Sequence, residues 1–194
     1  AAAADIAGGD SEEGQIKLSG ALTDTISMVK MEAWRQEALK TPDRVLALYA
    51  DQLGGAAGPF SVGYATGEPW RPDTVPIRET DAVAKVRALD ARPMAELKPA
   101  EQRKVLAFRL LTRTETHRIA AAELRRDLSP KAVRAVFTPD APFLDRYTKA
   151  ALAKMLSEAT GQPKAAFEGQ KKADLTAALA RHAESEKEWL PLGF

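Results

Sequence analysis

The stretches "TKAALAKML" (residues 148–156) and "KKADLTAAL" (residues 171–179) repeat one phrase, 23 residues apart. Each has lysine second, alanine third, and leucine at the fifth and ninth places. Leu152 and Leu156 stand four apart, as do Leu175 and Leu179, so each pair lies on one face of a helix. Two short helices with such stripes, joined by a connector containing Gly161 and Pro163, can pack on each other, and Phe167 is placed to plug the space between them. The lysines are the second part of the signal. A cation in the first turn opposes the helix dipole and costs about 0.3–1 kcal/mol when exposed. A phosphate reverses that sign, because free N–H groups and ammoniums then face one anion. The phrase permits a phosphate clamp at two neighbouring helix starts, built from Lys149, Lys171 and Lys172, with Lys154 further along the first helix. Leucine packing with solvent-screened lysines is the plain alternative.

Outward from this pair the signals stay helical and predict an all-α fold. From Leu18 to Leu39 the residues Leu18, Leu22, Ile26, Val29, Ala33, Ala38 and Leu39 recur at three- and four-residue steps, one stripe of a helix. "TPDRVLALYADQLGG" follows, with Thr41 as N-cap, Pro42 at the first helical position and Gly54-Gly55 as the stop, which completes a helical hairpin. Residues 54–78 interrupt the pattern with five of the twelve glycines and four of the twelve prolines, and with Phe60, Tyr64 and Trp70 among them. This reads as a long Gly/Pro/aromatic loop whose aromatics pack on the helices or form a binding surface at residues 58–72. Helices resume at Thr80 and at Pro99, the latter with a break near residues 114–116, and again after Ser129. The expected organisation is a linker over residues 1–16, a helical domain over 17–137 with the loop 54–78, and a helix–extension–helix module over 138–194.

The 194 residues suffice for one domain or two small ones, and 45% hydrophobic with 28% charged residues describes an ordinary globular chain. No apolar run approaches the roughly 20 residues of a membrane span. The opening "AAAADIAGGDSEEG" lacks the basic start and apolar centre of a signal peptide, and reads as the boundary of a longer protein. With no cysteine there are no disulfides, thiol nucleophiles or cysteine metal sites. A cytoplasmic home is the simplest fit. Net charge is only +1, yet between Lys98 and Arg134 ten bases face four acids. Such a concentration suits nucleic acid or an acidic partner, or else a solvated arginine-rich helix face.

Catalytic constellations do not assemble. His117 and His182 have no metal-ligand spacing partner beyond Glu184, and no phosphate loop, nucleophile elbow or dinucleotide fingerprint occurs. "GGAAG" (residues 54–58) follows a helix rather than a strand and reads as a helix stop. No enzyme activity, cofactor, metal or small-molecule ligand is expected. One further outline is helix-turn-helix-like: "RIAAAELRRDLSPKAVRAVF" (residues 118–137) would send Lys131 and Arg134 forward on its second helix, although Arg126-Asp127 stand where a turn glycine is usual. Packing of two ordinary helices is the plain alternative to this outline, and Arg125 and Arg126 join Lys149, Lys154, Lys171 and Lys172 as candidate nonspecific nucleic-acid contacts.

Taken together the segments resemble a known family. "LSGALTDTISMVKMEAWRQEALKTPDRVLALYADQL" resembles the helical hairpin that follows the DNA-binding core of ParB-like (ParB/RepB) plasmid and chromosome partition proteins. Thr138-Pro139, Phe143-Leu144, Arg146, Thr148-Lys149, Lys171-Lys172, Asp174-Leu175 and Trp189-Leu190-Pro191 resemble the C-terminal motifs of the same proteins. Phe137 departs from the tryptophan common there. About 40 residues of the tail are also similar to SAP and Rho N-terminal-like modules, which often bind nucleic acid. The family's nucleotide-binding "GERR" motif and central helix-turn-helix are absent. The resemblance implies a C-terminal region for self-association and nonspecific DNA contact, with DNA and a second copy of the chain as partners. The rivals are a dimerisation or protein-interaction module, whose apolar tail at residues 189–194 docks on a partner, and a nuclease-related fragment.

Overall fold

Ser19 accepts a hydrogen bond from Leu22 N (3.3 Å) and so caps the first helix, α1 (Gly20–Ala38). The computed structural model describes residues 16–53, 77–113 and 128–194. All but the last residue of the expected linker (residues 1–16), nearly all of the loop at 54–78 and the first part of the helix-turn-helix outline lie outside them. After α1 come α2 (Pro42–Leu53), α3 (Asp81–Asp90), a single 3₁₀ turn (Met94–Glu96) and α4 (Pro99–Arg113). The remainder holds α5 (Pro130–Val136), α6 (Ala141–Leu144), α7 (Lys149–Thr160), α8 (Ala165–Glu168) and α9 (Lys172–Ser185). No strand occurs among the described residues, and the fold is all-α. No described helix is long and apolar enough to cross a membrane.

Punctuation follows the side chains. Ser129, Asp140 and Thr148 each accept from a backbone N–H three residues on, opening α5, α6 and α7. Gly161 closes α7 at φ +70°, a left-handed conformation that a side chain would penalise. Pro42 and Pro99 begin α2 and α4, where the absent proline N–H had no helical acceptor to lose.

α1 serves two hydrophobic clusters. Its stripe Leu22, Ile26, Val29 and Ala33 joins Val133, Val136, Phe137, Phe143, Leu144, Tyr147, Leu152, Met155, Phe167, Leu175 and Leu179 in one buried core. That core takes residues from both sides of position 138. The end of α1 belongs to the second cluster, where Leu39 meets Val45, Val83, Val86, Ala107, Phe108 and Leu111, with Trp34 alongside. α1 and α2 do meet, but α2 lays its apolar side chiefly on α4, which also receives α3. Asp90 accepts from Arg109 Nε at 2.5 Å and ties α3 to α4.

Between the clusters sits a buried amide. Gln36 Nε2 donates to Arg78 O (3.0 Å) and Glu32 Oε1 (3.1 Å), and its Oε1 accepts from Thr80 N (2.9 Å). Both donor hydrogens and the acceptor are thus used, which removes the penalty of burying the group. Arg78 continues the tie through Val136 O and through Thr138 Oγ1 at 2.8 Å.

The tail at residues 189–194, one reading of which has it docking on a partner, packs instead on its own chain. Tyr147 Oη donates to Leu192 O (2.8 Å), Leu192 N to Met155 Sδ (3.2 Å) and Lys30 Nζ to Gly193 O (2.8 Å). Phe194 stacks on Phe137 with ring centroids 5.6 Å apart. Gly193 has φ +100°, and a Cβ there would come within 2.7 Å of Leu18 Cδ1. Burial pushes the Tyr147 phenol above its ordinary range, so it remains a protonated donor.

Candidate nucleic-acid interface

The repeated phrase folds in the same register twice. Thr148 and Lys171 are the N-caps of α7 and α9, and Lys149 and Lys172 are their first helical residues. Leu152 and Leu175, at the fifth place of each phrase, are both 0% exposed, and Leu179 likewise. α7 and α9 pack along each other, and the connector between them carries the one-turn α8, from which Phe167 enters the core. The start of α9 reaches the turn that leads into α7. Lys172 Nζ donates to the backbone oxygen of Asp145 (2.5 Å) and stands 3.2 Å from its carboxylate, three residues before the cap of α7.

The starts differ in chemistry. Thr148 Oγ1 accepts from Ala151 N (3.2 Å), satisfying one of the N–H groups that a helix leaves unpaired. Lys171 has no acceptor to offer, so the first turn of α9 lacks a side-chain cap. Asp174, exposed in that turn, offsets the dipole in its place. Lys149 and Lys171 are exposed, and neither forms an ion pair among the described residues. Lys172 is engaged by Asp145. Lys154 lies 3.9 Å from Glu158 and about 140° around α7 from Lys149, so it does not extend the pair. Three lysines and two aspartates, Asp145 and Asp174, thus surround the paired helix starts.

Arg125 and Arg126 lie outside the described residues, as do His117 and the aromatics Phe60, Tyr64 and Trp70. Arg134, expected to point forward on a recognition helix, is turned inward and only 8% exposed. Its Nε donates to Lys187 O (3.2 Å) and its Nη2 to Ala183 O, so it holds the C-terminal end of α9. The reason is electrostatic: the last carbonyls of a helix carry partial negative charge and no helical donor. Burial, and then the charge of Arg78, hold the guanidinium below its ordinary pKa. Lys131 on the same helix is exposed. His182 meets Trp189 edge-on at 5.3 Å, and no metal-binding cluster occurs among the described residues.

Sequence reading did not find Asp145, whose role depends on a neighbour 27 residues away, and singled out Arg146 only as part of a family motif. The Arg146 Nη2 donates to Ala21 O and Thr25 Oγ1, both at 2.9 Å, and fixes the entry to α7 against the first turn of α1. No protein-family model, curated protein or solved structure matches the chain.

Proposed function

We propose that the chain is the C-terminal region of a ParB-like, DNA-associated protein, which contacts nucleic-acid phosphates without reading sequence and contributes self-association. The observation that carries this reading is the pairing of two lysine-led helix starts, with Lys149 and Lys171 exposed and outside any ion pair among the described residues. Helix N-termini and ammoniums act on the same anion, and neither distinguishes one base from another. The motifs around Thr148-Lys149 and Lys171-Lys172 support it further, since they carry the resemblance to partition proteins.

Titration of a short labelled duplex at two sodium chloride concentrations tests the reading. Binding should weaken as salt rises, with a slope of about 0.9 per phosphate engaged. The Lys149→Ala/Lys171→Ala/Lys172→Ala variant should lose most of the affinity and of the slope. Equal binding by that variant and the parent overturns the assignment.

The second reading, self-association without DNA, draws on Leu106, a large apolar side chain of α4 that stays 44% exposed. It predicts a light-scattering mass above that of one chain, reduced by Leu106→Lys.

A further inference from the structure

Residues 189–194 form a strap that continues no helix. Its backbone makes one hydrogen bond of its own, Phe194 N to Pro191 O (3.2 Å), and a second, Trp189 N to Glu186 O (3.2 Å), closes the turn that leads into it. Among the described residues no backbone–backbone bond joins it to another element. Side chains of the groove hold it instead. Leu192 is held at both backbone groups, its N–H by Met155 Sδ (3.2 Å) and its oxygen by Tyr147 Oη (2.8 Å), and Gly193 O accepts from Lys30 Nζ (2.8 Å). A bound peptide is held in this way, its backbone groups satisfied by the surface it crosses. We infer that the groove is a peptide-recognition site whose ligand is the strap sequence itself, and that the strap of a second copy fills it when two chains exchange theirs. This rests on the self-association in the reading above and names its contact.

The groove selects its occupant. At position 193 a φ of +100°, with a Cβ falling 2.7 Å from Leu18 Cδ1 and 3.0 Å from Ile26 Cδ1, calls for glycine. Phe194 lies on Phe137 and Phe143, whose ring centroids are 5.6 and 6.1 Å from its own, and Pro191 is buried. The strap sequence meets all three demands, in whichever copy carries it. The strap is also separable. Trp189, Leu190, Leu192 and Phe194 are half-buried, whereas Leu152 and Leu175 are fully enclosed, so the strap opens more readily than α7 and α9 part. The link permits the exchange as well. Glu186, Lys187 and Glu188 are exposed, and Arg134 anchors Lys187 O, so breaking the single Trp189 N to Glu186 O bond redirects the strap from a fixed pivot. Its contacts re-form unchanged in the partner copy, which makes exchange a low-cost route to a dimer. Loss of free motion on association opposes it, so the paired form grows with concentration.

Light scattering of the full chain across a range of concentrations, together with anisotropy of a labelled peptide of residues 186–194, tests the exchange. The parent should pass from the mass of one chain toward two as concentration rises. Gly193→Val puts a β-branched residue at positive φ and seats in neither copy's groove. It should stay at one chain where the parent is paired, with its helix content by circular dichroism unchanged. Phe194→Ala removes the stacked ring without straining the backbone and should do the same, which keeps the test valid if Gly193→Val loses helix. Either variant leaves its groove open. Each should bind the labelled peptide at least about ten-fold more tightly than the parent, whose attached strap competes at about millimolar effective concentration. The same peptide carrying Gly193→Val should bind none of them. A parent dimer that Leu106→Lys dissociates and Gly193→Val and Phe194→Ala do not overturns the exchange and leaves self-association standing. Folded variants that fail to bind the peptide overturn it equally. A parent that keeps the mass of one chain at every concentration overturns self-association, and the exchange with it.

Discussion

The starts of α7 and α9 come from nearly identical phrases and share a register, yet they are built differently. In α7 a threonine caps the helix and the first lysine extends into solvent; in α9 a lysine occupies the cap position and the next is held by Asp145. Burial is what the two have in common. The fifth-position leucines of both phrases are fully enclosed, so the repeat conserves the packing face while the solvent end diverges. A stripe of leucines constrains a helix on the side where neighbours are dense, and the first turn answers only to whatever lies beside it.

The comparison can be broken at its shared feature first. Leu152→Ala and Leu175→Ala should each cost about 2–5 kcal/mol by urea denaturation, because both side chains leave a cavity in the same core. A cost in only one helix would show that the phrase is duplicated in sequence without being duplicated in function. The caps should then separate the two. Thr148→Ala should lose about 1 kcal/mol, whereas Lys171→Ser should gain a few tenths to about 1 kcal/mol by supplying the missing acceptor and removing an opposing charge. Opposite signs are the expected result, and matching signs would refute the asymmetry.

The next contrast lies one residue after those leucines. Where α7 has Ala153, α9 has Thr176, which is buried with no hydrogen-bond partner for its hydroxyl among the described residues. Thr176→Val should raise stability by about 1 kcal/mol, read as a higher urea midpoint, since it removes a polar atom that water no longer reaches. The smallest effect belongs to the solvent end. Lys172→Met should cost about 0.2–1 kcal/mol in low salt and less as salt rises. Lys149→Met, which breaks no ion pair among the described residues, should show no such salt-dependent loss.

Much of this architecture could be read before any fold was known. The three- and four-residue steps of Leu22, Ile26, Val29 and Ala33 placed the buried stripe of α1, and Pro42, Ser129, Thr148 and Gly161 marked helix ends where the chain makes them. The same local signals misjudged Arg134. Its position in a short helix after a turn suggested an outward residue, but a helix end 49 residues later draws it inside. The tail was open to misreading for a related reason: its apolar residues 189–194 announce burial without saying where, and the groove that receives them is assembled from α1, α5, α6 and α7.

By itself the sequence determined the all-α class, most helix boundaries and the leucine faces, because helix periodicity and capping act over a few residues. Tertiary structure alone decided which charges are spent and which remain available. Asp145 reaches Lys172, Arg134 reaches the end of α9 and Lys30 reaches Gly193, each across a distance in the chain that no local pattern encodes. A long polar side chain is committed by whatever partner the packed core delivers to it, so its role becomes definite only after the apolar faces have met.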